Sequence, residues 1–101
     1  MKQNIINNYN NLILSKKIVI VYFHNYECEK TNNIFDYFKK NKNNNVLLIN
    51  YDVENINNTE LITHLDLKCF PFFYVYKNGF LIDQILGTLN IEKIISQYLS
   101  T

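Results

Sequence analysis

The 101-residue chain carries 10 Lys and Arg against 9 Asp and Glu, a net charge of +1, with 48% hydrophobic and 15% aromatic residues. That balance excludes a disordered segment. It also leaves neither the basic, aromatic-interleaved stripe of a nucleic-acid surface nor any apolar run near the ~18 residues of a membrane span. The size suits one domain over residues 1–101 with its own core.

The N-terminus, Met1 to Asn8, has no continuous apolar stretch of the secretory kind, and two cysteines do not make a disulfide framework. A reducing, cytoplasmic setting is the expectation. Asn8 to Leu14 places Tyr9, Leu12 and Ile13 at helical spacing. Ile18-Val19-Ile20-Val21-Tyr22-Phe23 is an unbroken β-branched and aromatic run, the pattern of a strand buried on both faces. Thr31, Ile34, Phe35 and Phe38 then fall at i, i+3, i+4 and i+7, which predicts a helix ending near Lys40. The cluster Lys39, Lys40 and Lys42 would complement the negative end of its dipole.

After an Asn43-Asn44-Asn45 loop, Val46 to Tyr51 is a second buried strand, so strand, helix and strand form a right-handed parallel crossover. Thr59 to Leu65 reads as a short helix with Leu61, Ile62 and Leu65 inward. Phe72 to Tyr76 and Phe80 to Ile85 are strands flanking Lys77-Asn78-Gly79, and Asn-Gly between two such runs signals a hairpin. Asn90 is expected to cap a last helix with Ile91, Ile94, Ile95 and Tyr98 on one stripe. The order describes an α/β sandwich with helices on both faces of a mixed sheet. The repeated Asn pairs and triplets suggest no chemistry.

From Ile18 to Leu99 the chain resembles the thioredoxin family. Phe23-His24-Asn25-Tyr26-Glu27-Cys28 is similar to the family's aromatic approach to its first active-site cysteine. Tyr51 to Asn55 is similar to the close of the next strand, Lys68-Cys69-Phe70-Pro71-Phe72 to the cis-proline loop, and Leu86-Gly87 to the end of the last strand. The resemblance implies a thioredoxin fold with a four-stranded sheet or a stunted fifth strand. It also marks departures. The C-x-x-C motif reads Cys28-Glu29-Lys30-Thr31, the buried acid before it is Tyr22, and that acid's lysine companion is Asn50. The two flanking tryptophans are His24 and Glu27.

A cysteine opening a helix sees unpaired amides and the positive dipole end, both of which favour thiolate. Cys28 is therefore expected to have a lowered pKa, helped by Lys30 and opposed by Glu27 and Glu29, with Thr31 as hydrogen-bond donor to the sulfur. The implied function is thiol–disulfide exchange by a single thiol. Its partners would be a protein or peptide disulfide and an external thiol such as glutathione that resolves the mixed disulfide. The alternative is a non-catalytic module that holds an extended peptide in a groove rimmed by Tyr26, Phe70, Pro71 and Gly87. Cys69 is open to three readings: a substitute resolving thiol beside Cys28, a dimer-forming thiol, or a small loop residue. His24 either pairs with Cys28 or fills a tryptophan's place, and His64 is a solvated helix residue. No cofactor is expected, and two cysteines with two histidines match no zinc spacing.

Overall fold

Six consecutive buried residues, Ile18 to Phe23, form the spine of the protein. The computed structural model describes residues 4–41, 44–87 and 90–100. In chain order the elements are α1 (Ile5–Ile13), β1 (Ile18–His24), α2 (Glu29–Lys40), β2 (Val46–Asp52), a 3-10 turn (Ile56–Asn58), α3 (Thr59–His64), β3 (Phe72–Lys77), β4 (Phe80–Leu86) and α4 (Ile91–Leu99). The sheet has four strands in the order β2-β1-β3-β4. β1 runs parallel to β2 and antiparallel to β3, and β3 pairs antiparallel with β4.

Because side chains alternate along a strand, β1 serves two cores at once. Ile18, Ile20 and Tyr22 meet Phe35 and Phe38 of α2 and Ile91 and Ile95 of α4. Val19, Val21 and Phe23 meet Tyr9 of α1 and Leu61 of α3. The strand is apolar throughout because both its faces are covered. No helix among the described residues is long and apolar enough to cross a membrane.

Several boundaries differ from the sequence reading, each for a local reason. α1 starts at Ile5 rather than Asn8, because the Asn4 side chain accepts the N–H groups of Ile6 at 2.9 Å and Asn7 at 3.3 Å. α3 ends at His64 and is preceded by the 3-10 turn, where Asn55 Oδ1 accepts the Asn57 N–H at 2.9 Å. Asn90 precedes α4, but it is left-handed (φ 60°) and its side chain makes no capping bond, contrary to expectation. Lys39 and Lys40 lie in the last turn of α2, while Lys42 lies outside the described residues.

The β3–β4 hairpin turns through Asn78 (φ 52°) and Gly79 (φ 84°). Two successive positive φ values define the turn type that Asn-Gly favours. An added Cβ at Gly79 would strike the end of the Leu14 side chain. Gly79→Ala is therefore expected to lower stability by about 1–2 kcal/mol, the cost of a left-handed L-residue, with the flexible leucine yielding. The check is a lower urea midpoint at unchanged slope.

Candidate active site

β1 ends at His24, and a three-residue turn carries the chain into α2. Asn25 shapes that turn. Its carbonyl accepts the Cys28 N–H at 3.2 Å, and its Oδ1 accepts the Glu27 N–H at 3.0 Å and the Cys28 thiol at 3.1 Å. Cys28 occupies the N-cap position of α2, and its carbonyl accepts the Asn32 N–H at 2.8 Å. The amides of Glu29, Lys30 and Thr31 thus precede the first intrahelical bond, at the helix end that favours an anion.

Cys28 is only 5% exposed and Thr31 only 3%. Both nevertheless line a cavity of about 260 Å³ with Glu27, Lys30, Ile34 and Pro71. The Phe70–Pro71 peptide bond is cis. Two elements distant in sequence, the start of α2 and the segment before β3, therefore meet across the sulfur.

The remaining candidates are not part of this cavity's lining. Tyr26 is exposed, with its N–H on Glu54 Oε1 at 2.7 Å. Phe70 packs into the core on the α1 and α3 side of the sheet. The Gly87 N–H donates to the Pro71 carbonyl at 2.9 Å and so ties the end of β4 to that segment. Cys69 is exposed and lines a different cavity with Leu67, Phe72, Tyr74 and Leu86, so the two sulfurs open onto separate surfaces. Both are free thiols.

His24 does not pair with Cys28. Its Nε2 lies 3.1 Å from Asn50 Nδ2, and its ring packs on Tyr22 with centroids 4.9 Å apart. Asn50 Oδ1 in turn accepts from Lys39 Nζ at 3.3 Å. The position where the resemblance implies an acid is filled by a buried phenol. The Tyr22 ring stacks on Phe73 at 4.6 Å and leans on Phe35 at 5.0 Å, and its hydroxyl donates to Asn32 Oδ1 at 2.6 Å. Burial first, then the neighbouring Cys28 and then Asp36 raise the Tyr22 pKa well above the usual tyrosine value.

Asn25 and Asn32 were missed as site residues, because asparagine is abundant throughout this chain. The available signals were positional. Asn25 stands three residues before Cys28, where its side chain can reach the N–H groups opening the helix, and Asn32 stands one turn after it. Among the described residues, no group of three or more His, Cys, Asp or Glu is placed to hold a metal ion.

A thioredoxin family model matches residues 2–100. A thioredoxin from Ictalurus punctatus is 36% identical over 61 residues, 59% of this chain and 55% of that protein, so the match spans about half of that relative. Among solved structures, oxidised Plasmodium falciparum thioredoxin superposes with a TM-score of 0.74 at 23% identity, covering 92% of this chain and 91% of that one. A cysteine-to-serine mutant of Entamoeba histolytica thioredoxin gives 0.75 at 16% identity, covering 94% and 91%. These two likenesses establish the shared fold, while the family model accounts for nearly the whole sequence. The chain belongs to the thioredoxin family.

Proposed function

We propose that this chain performs thiol–disulfide exchange through Cys28 alone. The observation that carries the reading is the placement of Cys28 at the N-cap of α2, on the wall of a cavity that Pro71 also lines. An anion at the sulfur meets the helix amides there, and thiolate is the nucleophile.

In the first step the Cys28 thiolate attacks one sulfur of a protein or peptide disulfide. A new S–S bond forms, the target bond breaks, and the other target sulfur leaves with the electron pair and takes a proton from water. With Thr31 where the family has its second cysteine, the mixed disulfide is resolved from outside. The thiolate of a small thiol such as glutathione attacks the target's sulfur, and Cys28 leaves as thiolate. A second small thiol then frees the target and is itself oxidised to the small-molecule disulfide. Tyr26, the backbone of Phe70 and Gly87 form the rim on which an extended target segment rests, next to Pro71. A reducing compartment suits such a cycle, since it supplies the external thiol.

The test is insulin reduction with glutathione, in the parent chain and in Cys28→Ser. Activity is expected to fall to the uncatalysed rate in the variant, while Cys69→Ser retains it. The low exposure of Cys28 favours a second reading, a groove that holds a partner without exchange chemistry. Partner capture that survives Cys28→Ser, in a chain with no activity above background, would establish that reading instead.

A further inference from the structure

Tyr22 stands where a buried carboxyl would manage protons in a dithiol site, and its surroundings are arranged around one hydroxyl. Phe73, Phe35 and His24 hold the ring at centroid distances of 4.6, 5.0 and 4.9 Å, so the phenol cannot swing far. The hydroxyl donates to Asn32 Oδ1 at 2.6 Å. Asn32 is itself bonded to Cys28 through its backbone, N–H to carbonyl, at 2.8 Å. The Cys28 thiol is meanwhile parked as a donor on Asn25 Oδ1 at 3.1 Å. Two asparagine oxygens therefore occupy the two protons at the site, one phenolic and one thiolic.

We propose that Tyr22 is a positioning residue for Cys28, whose hydroxyl transfers its hydrogen bond from Asn32 Oδ1 to the sulfur whenever that sulfur becomes an anion. The inference rests on the exchange chemistry proposed above and names the group that serves it. Once the thiol proton is lost, Asn25 Oδ1 no longer has a donor at the sulfur and cannot itself stabilise the thiolate. The phenol of Tyr22, packed in the same core cluster as Cys28, has a proton to offer it. The proton stays on Tyr22 throughout, in keeping with the raised pKa of its phenol, so the residue donates a hydrogen bond and not a proton. This differs from an acid at the same place, which would accept the proton of a second thiol. A site with no second thiol needs a donor rather than a base.

Other charges face the same sulfur and phenol. Glu27 and Lys30 line the cavity, Glu29 opens α2, Asp36 on α2 acts on the phenol, and His24 on β1 packs against the ring. β3 contributes Phe73, and α4 contributes Ile91 and Ile95, none of them charged. All are retained in Tyr22→Phe, so the comparison isolates the hydroxyl.

The experiment is the pH dependence of Cys28 alkylation by iodoacetamide, read by peptide mass spectrometry so that Cys69 does not interfere. In Tyr22→Phe the profile is expected to move up by about one pH unit, the scale of one charge-assisted hydrogen bond. Below the midpoint, alkylation should slow about tenfold. A folded Tyr22→Phe with an unmoved profile overturns the proposal, since phenylalanine keeps the ring packing on Phe73 and Phe35 and removes only the hydroxyl. If Tyr22→Phe fails to fold, Asn32→Ala decides. It removes the competing acceptor, so the profile is expected to move down, and an unmoved one overturns the proposal. Either failure leaves the exchange reading intact as long as Cys28→Ser abolishes insulin reduction. Retention of activity in Cys28→Ser removes both.

Discussion

Thr31→Cys is expected to release its own mixed disulfide at least ~100-fold faster than the parent chain does in millimolar external thiol, because the resolving sulfur becomes intramolecular. Position 31 lies one turn after Cys28 on α2 and lines the same cavity. Residues three apart in a helix bring their Cα atoms within the range a disulfide accepts. Thr31 is buried, and cysteine is a small side chain that tolerates burial. What the variant lacks is a base. Tyr22 holds its proton at neutral pH, so the new thiol must ionise without help, and only a few per cent of an ordinary thiol is thiolate at pH 7. The gain should therefore grow as pH rises through the ordinary thiol range. Release of a trapped mixed disulfide, followed on non-reducing gels across pH, measures both effects. A variant no faster than the parent would mean that position 31 cannot reach the bond.

The legible parts of this molecule were those set by period and covalent geometry. β1 reads from sequence because both its faces are covered, which forces every residue from Ile18 to Phe23 to be apolar. The hairpin reads because Asn78 and Gly79 tolerate the two positive φ values that such a turn needs. Cys28 and Pro71 were recognisable by likeness to a family pattern, and their meeting across one cavity follows from the fold. The asparagines were not legible. Asn4, Asn25, Asn32 and Asn55 each direct a side-chain oxygen at a specific donor. In a chain so rich in asparagine, composition hides which copies do so. The side Cys69 faces was not legible either. Residues 69–71 form a bend rather than a strand, so nearness in sequence to Pro71 does not say onto which surface the Cys69 side chain opens. The outward apolar residues of β4, with Phe80 75% exposed, also escaped the reading, because a strand's hydrophobicity does not say which face is covered.

Positions 22, 24 and 50, where the chain departs from the family pattern, touch one another in the structure. With no thiol at 31, an acid at 22 would be a buried charge without a task, and burial without a partner is costly. A tyrosine there keeps the ring packing on Phe73 and needs one acceptor, which Asn32 provides. Asn50, opposite Tyr22 in the β1–β2 register, bonds His24 and Lys39 instead of an acid. These contacts are in keeping with the single-thiol function proposed above.

The same buried phenols predict a steep loss of stability in alkali, about 1.4 kcal/mol per pH unit above pH 10 for each tyrosine that keeps its proton in the fold. Tyr9 and Tyr22 are both within 2% of complete burial. Burial raises the Tyr9 phenol most, followed by its hydrogen bond with Tyr76 and then the nearby Tyr76, Tyr51 and Tyr74. The Tyr22 phenol is raised first by burial and next by Cys28. In the unfolded chain both titrate near the ordinary value of about 10. Below that pH the two states hold the same protons, and the stabilisation is fully present. Above it the unfolded state releases protons that the folded state retains, so unfolding becomes easier with each step in pH. Two such groups amount to about 4 kcal/mol by pH 11.5, a large part of the ~5–15 kcal/mol that holds a small domain. Urea midpoints between pH 9 and pH 11.5 measure the slope. Tyr9→Phe distinguishes this cause from general alkaline damage. At pH 9 it should be weaker than the parent by about 1 kcal/mol, the net worth of the lost hydrogen bond with Tyr76. With one fewer proton to lose it should then fall less steeply, so the gap between the two curves closes as pH rises. Parallel curves would show that Tyr9 ionises as readily in the fold as in the open chain.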